Sequence, residues 1–371
     1  MSPRYRWLVG TYTATSGSVY HQTTTRNGKR CSTAVGYLHP VRTRPNLRVV
    51  TGALAEKVLF EGKRAVGVAF REHGEPRIVR AKREVILCGG AVNSPQLLLL
   101  SGVGPQEQLA QFGIPVVHHL PGVGQSLQDH YSAPIKLKCR FPITVNDVMQ
   151  SNLKKLKVGL KYYIFHTGPL TMAAGPAALF VRTRKELASP DVKISVAPFS
   201  SDRLQDGLHA WSGFGMTVYQ LRPESRGEIR LKSANPGDPP AMYPNYLATD
   251  TDQRAIVDGL KIGRRILATP SMQHFISEEY QPGSQVQTDE QLLQHAKNTG
   301  GTVFHPTSTC KMGVDPMAVV DPELRVHGIE GLRVVDASIM PTVVSGNTNA
   351  ATIMIGEKAA DLVRQEMRIA A

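Results

Sequence analysis

The chain has 371 residues, 41% of them hydrophobic and 20% charged, which is enough for two or three domains and too apolar for wholesale disorder. Its four cysteines, Cys31, Cys88, Cys139 and Cys310, are scattered without a C-x-x-C pair. That excludes a disulfide-stapled mini-protein and argues for reduced thiols and against structural zinc. The formal net charge is +13, from 43 Lys+Arg against 30 Asp+Glu. The cations are spread in short pairs such as Lys154-Lys155 and Arg264-Arg265, and aromatics (6%) do not interleave with them. A basic solvated surface is therefore favoured over a nucleic-acid face, and weak attraction to a membrane surface stays open.

No apolar run approaches the roughly 20 residues of a spanning helix, and no long apolar segment follows the basic start to make a signal peptide. A soluble cytoplasmic protein is the default. Residues 1–19 are small, polar and without strong periodicity. Beyond them, Pro45-Asn46 signals a turn and Leu47 to Val50 reads as a short strand. Lys57 to Phe60 and Ala65 to Phe70 then read as a hairpin or meander. Glu84 to Cys88, ending in Gly89-Gly90, has the continuous apolar character of a buried parallel strand.

Ser94-Pro95 reads as a helix start, Ser as N-cap and Pro at the first helical position, with Gly102 as the stop. Residues 125–300 are more mixed, with strands such as Gly227 to Leu231. Leu332 to Val335 is a strand, and a long helix runs from about Asn349 to Arg368, its apolar stripe carried by Ile355, Ala359, Leu362 and Val363. Such a chain is α/β at both ends around a more antiparallel middle.

Gly102-Val103-Gly104 and Gly122-Val123-Gly124 begin G-x-G but lack the third small residue of a dinucleotide fingerprint, so both read as tight turns. His305 lies between apolar residues and Pro306, which biases it to extended backbone. It reads either as a satisfied core histidine or as a partly desolvated general base. Ser345 to Asn349, at the mouth of the last helix, reads either as ordinary capping or as a set of amides offered to an anionic group. Asp336 after its strand is either a turn former or an acceptor for a cofactor hydroxyl.

Taken together, these segments resemble the glucose–methanol–choline (GMC) family of FAD-dependent oxidoreductases. The resemblance is carried by Gly90 to Gly104, by Leu120-Pro121-Gly122-Val123-Gly124-Gln125-Ser126-Leu127-Gln128-Asp129-His130, and by Pro223 to Gly227. His305-Pro306, Gly331 to Ser338, Asn349 and Met354 to Glu357 complete it. It covers about residue 20 to the end. It implies a FAD-binding, Rossmann-like domain, in part 20–122 and 309–371, with a substrate domain over 123–308 on a mostly antiparallel sheet. It implies oxidation of a primary or choline-like alcohol to the aldehyde. His305 takes the hydroxyl proton, Asn349 holds the developing alkoxide, and the hydride passes to flavin N5.

By the same resemblance Ala55 lines the adenine side, Asp336 and Ala337 face the ribityl-pyrophosphate region, and Asn347, Thr348, Asn349 and Ala350 meet the flavin pyrimidine. The final acceptor is a quinone or oxygen. The family's opening βαβ unit with G-x-G-x-x-G is not found in the sequence, which reads as a truncated product expected to bind FAD weakly and turn over little. A non-catalytic remnant and a basic nucleic-acid or membrane-surface protein are the competing readings.

Overall fold

The computed structural model describes residues 17–369. The chain opens on β1 (Gly17–Tyr20) and forms a meander of β2 (Ala53–Glu61), β3 (Arg64–Glu72) and β4 (Glu75–Arg80). His73 (φ 53°) and Gly74 (φ 92°) make the two-residue turn between β3 and β4, the backbone hand that suits right-twisted antiparallel strands. Next come β5 (Val85–Leu87), α1 (Gly90–Leu100), β6 (Tyr131–Cys139) and α2 (Asn152–Phe165). Then follow β7 (Ala177–Val181), β8 (Val192–Ala197), β9 (Gly213–Gln220) and α3 (Asp250–Leu267). The chain closes with β10 (Ile276–Gln281), α4 (Asp289–Thr299), β11 (Gly301–Thr302), β12 (Leu332–Val334) and α5 (Thr348–Ile369).

These elements sort into two compact units, each built from three stretches of chain. One takes the described residues up to Arg44 with Tyr131–Leu221 and Thr249–Val303; the other takes Pro45–His130, Arg222–Ala248 and Phe304 onward. Residues 1–16 of the N-terminal segment singled out in the sequence lie outside the described residues, and its last residues form β1.

The first unit is a seven-stranded sheet ordered β1-β7-β8-β9-β6-β10, with β11 pairing β6; every pairing is antiparallel. Helix α3 lies on β8 and β9 with Ala255, Ile256, Val257 and Leu260 buried. A Cβ at Gly259 would come within 2.6 Å of Val218 and 3.0 Å of Val192, so this close approach requires glycine.

Lys193 on β8 is only 2% exposed and stands in register between Phe180 and Tyr219, its ammonium 5.4 Å from each ring. Burial lowers its pKa from 10.5 to about 8. Because the folded value lies below the unfolded one, charging the lysine destabilises the fold fully below pH ~8, and the penalty fades as pH approaches 10.5. Lys193→Met is thus expected to stabilise the protein at pH 7 by about 1–3 kcal/mol. Denaturant titrations of variant and parent at pH 7 and pH 10 check this: the gap should narrow at the higher pH.

In the second unit β5 and β12 run parallel, Val85 opposite Leu332 and Leu87 opposite Val334. Val85 and Leu87 pack in a core with Leu98, Leu99, Val123, Leu332 and Val334. The strand is buried on one face only, since Ile86 is 42% exposed, a correction to the continuous burial its composition implied. Leu47 to Val50 form no strand but an exposed stretch, because no strand among the described residues pairs with them.

Helix α1 starts at Gly90, one turn before the expected Ser94 cap, and Pro95 sits inside it. The missing N–H of Pro95 would orphan the Ala91 carbonyl. The Thr309 hydroxyl donates to that carbonyl at 2.6 Å and replaces the lost bond. The last helix begins at Thr348, and Ile355 and Ala359 of its expected stripe are buried.

Candidate active site

His305 is 8% exposed and lies in the second unit, outside any helix or strand and before Pro306. The residues flanking its short loop, Phe304 (φ 62°) and Ser308 (φ 74°), both hold the left-handed conformation that non-glycine residues avoid. Each costs about 1–3 kcal/mol and persists only where surrounding contacts impose it. Here the contacts come from the segment Gln128-Asp129-His130. Gln128 and Thr307 exchange backbone hydrogen bonds, at 3.2 and 2.9 Å. The Gln128 side chain donates to the Pro223 carbonyl at 2.7 Å and accepts from the Val343 N–H at 2.9 Å. Asp129 accepts the His305 N–H at 2.8 Å and the Tyr246 hydroxyl at 2.6 Å.

The imidazole of His305 is held at both nitrogens. Nδ1 lies 3.0 Å from Nδ1 of His130, the two rings meeting edge to face at 89°. Nε2 lies 3.1 Å from the amide nitrogen of Asn347. An amide nitrogen only donates, so Nε2 accepts and carries no proton. In a neutral ring the proton would then sit on Nδ1, facing His130. This tautomer leaves a basic lone pair at Nε2, with Asn347 occupying the position from which a hydroxyl would donate.

Imidazole ¹⁵N spectra are expected to show His305 protonated at Nδ1. In His130→Phe, which removes the acceptor, the resonances should move towards a mixture of tautomers. An unchanged spectrum would deny His130 this role.

The expected partner of His305 was Asn349. The structure brings Asn347 to Nε2 instead, while Asn349 and Ala350 are exposed on the first turn of α5 beside half-buried Thr348. Asp336 is 5% exposed, and its carboxylate accepts from the Gly90 N–H (2.9 Å), the Ser94 hydroxyl (2.5 Å) and the Ser338 N–H (2.7 Å). It thereby ties the turn after β5 to the turn after β12. Ala337, half-buried, opens a short helical turn to Ile339. Ala55 is exposed on β2, an outer strand of its sheet, beside a register shift between Ala55 and Lys57.

Sequence reasoning gave no role to Asp129, His130 or Tyr246. The first two stood within a quoted motif, and their contacts with His305 span 176 and 175 residues, beyond the reach of any spacing rule.

Two family models described as GMC oxidoreductase match this chain, one over residues 10–132 and the other over residues 223–356. The chain belongs to the GMC oxidoreductase family. The match begins ten residues before the resemblance read from the sequence. An oxygen-dependent choline dehydrogenase of Cronobacter sakazakii is 45% identical over 343 residues, covering 92% of this chain and 61% of that protein. The protein of the same name from Pectobacterium carotovorum is 43% identical over 344 residues, covering 93% and 61%. The chain therefore spans about three-fifths of the length of these curated GMC relatives.

Among solved GMC structures, a variant of formate oxidase from Aspergillus oryzae RIB40 superposes with a TM-score of 0.86 at 26% identity, covering 93% of this chain and 65% of that one. Pyridoxine 4-oxidase from Mesorbium loti gives a TM-score of 0.81 at 26% identity, covering 94% and 64%. The family implies FAD, and the turns around Gly90 and Asp336 leave room for part of such a ligand. The turns after β5 and β12 stand together at the carboxyl ends of a parallel pair, where such sheets receive ligands. Beside them Gly90 (φ 76°) leaves open space, since a Cβ there would meet no atom within 4 Å.

Proposed function

We propose that this GMC oxidoreductase oxidises a primary alcohol to the aldehyde, with His305 as the base. The observation that carries this reading is that His305 Nε2 faces the amide nitrogen of Asn347 at 3.1 Å while Nδ1 rests against His130. The alcohol hydroxyl displaces Asn347, donates to Nε2 and gives up its proton there. Asn349, on the first turn of α5, holds the alkoxide oxygen as charge develops. FAD, when bound, accepts the two electrons and the hydrogen that leave the alcohol carbon.

The first amides of α5, at Thr348, Asn349 and Ala350, present a positive helix end to the flavin pyrimidine. Asp336 supports this site by holding the two turns in place, with Ala337 beside the ribityl chain and Ala55 towards the adenine. Choline is the second reading, favoured by the name of the curated relatives.

An absorbance experiment tests the proposal: the purified chain with excess FAD is mixed anaerobically with ethanol, a longer primary alcohol, or choline. Bleaching of the flavin by primary alcohols supports it. Bleaching by choline alone moves the assignment to the second reading, and bound flavin bleached by none of them overturns both.

A further inference from the structure

Helix α2 has no buried residue, although its sequence, NLKKLKVGLKYYIF, is rich in large apolar side chains. Leu153 (77%), Leu156 (59%), Leu160 (50%), Tyr163 (79%) and Ile164 (61%) are all exposed. Their spacing of i, i+3, i+7, i+10 and i+11 places them on one stripe. A helix on the surface of a globular domain turns such a stripe to the core; this one presents it outward. Phe165, the last residue of the helix, and Leu170 and Met172 beyond it are exposed as well.

The charge beside the stripe is all of one sign. Lys154, Lys155, Lys157 and Lys161 lie on the same helix, and no Asp or Glu occurs between Asp147 and Glu186. Fourteen helical residues rise about 21 Å, short of the roughly 30 Å hydrocarbon core of a bilayer. No helix among the described residues is long and apolar enough to cross a membrane.

We propose that α2 lies flat on an anionic lipid surface, its apolar stripe set at the headgroup boundary and its four lysines on the lipid phosphates. Such a helix combines an apolar edge with cations that reach back to the surface plane. A second copy of the chain fits this face less well, because a symmetric contact would set four lysines against four. Here the pair Lys154-Lys155, which the sequence alone assigned to a solvated surface, becomes part of a binding face.

The test is co-sedimentation of the full chain with vesicles of phosphatidylcholine alone and of phosphatidylcholine mixed with phosphatidylglycerol. Binding to the anionic vesicles only, weakened by salt, is expected. Leu156→Glu/Leu160→Glu should abolish it, and Lys154→Glu/Lys157→Glu should weaken it by roughly 30-fold or more. Both variants should keep the parent's circular dichroism and unfolding midpoint, since none of these side chains is buried. Absence of binding to either vesicle, or binding that survives the double glutamate substitution in the stripe, overturns the proposal. A parent dimer that the same substitution converts to monomer also overturns it, and assigns the face to self-association.

Discussion

His305→Gln is expected to lower kcat/KM for the alcohol by about 10²- to 10⁴-fold in the flavin-loaded enzyme, the range supplied by a positioned general base. Glutamine has a similar reach and can still accept a hydrogen bond, but it cannot take a proton in this pH range. The loop around it is held mainly through backbone and Asp129 contacts, which the substitution leaves in place. The unfolding midpoint should therefore change little. A variant with parental kcat/KM would remove His305 from the chemistry.

The second large effect concerns Arg333, 2% exposed on β12. Its guanidinium meets Glu84 at 2.7 Å, Glu366 near the end of α5, and the Glu323 carbonyl. Burial alone would lower its pKa, yet the Glu366 and Glu84 carboxylates hold it above the ordinary value. The partners are unequal in exposure: the side chain of Arg333 is 2% exposed, that of Glu84 20% and that of Glu366 46%. Removing the two carboxylates strands a buried cation, whereas removing the arginine leaves two carboxylates that reach water.

Glu84→Gln combined with Glu366→Gln should thus cost about 3–5 kcal/mol of stability. Arg333→Met breaks the same two ion pairs and should cost clearly less. Denaturant midpoints of the two variants decide the matter, and equal losses would contradict the asymmetry. The same contacts fix α5, whose first turn adjoins Asn347 and the proposed flavin site.

The parts legible in the sequence were those whose causes are local. The apolar run at Val85 to Leu87, the stripe through Ile355 and Ala359, and the meander after Ala53 each follow from pattern and turn chemistry within about ten residues. Ser94-Pro95 misled because the bond that excuses Pro95 comes from Thr309, which no local rule foresees. The strand expected at Leu47 to Val50 has suitable residues and no partner strand among the described residues. His305 was identified by its surroundings, but its neighbours Asp129, His130 and Asn347 are assembled by the tertiary fold alone. In α2 only the pair Lys154-Lys155 was singled out from the sequence, and the exposed apolar stripe beside it is visible only in the fold.

The parallel pairing of β5 with β12 sets a schedule for synthesis. Val85 finds its partner at Leu332, and the Gly90 amide finds the Asp336 carboxylate 246 residues later in the chain. At the usual pace of translation, about 5–20 residues per second, that partner follows some 12–50 s behind. During this interval β5 lacks its parallel partner, while α1 can already pack on β2, where the Val58 N–H donates to the Ser101 hydroxyl at 2.8 Å. A ribosome-bound chain halted before residue 332 therefore cannot form the β5–β12 pair, and the turn after β5 gains its Asp336 anchor only once that residue has emerged.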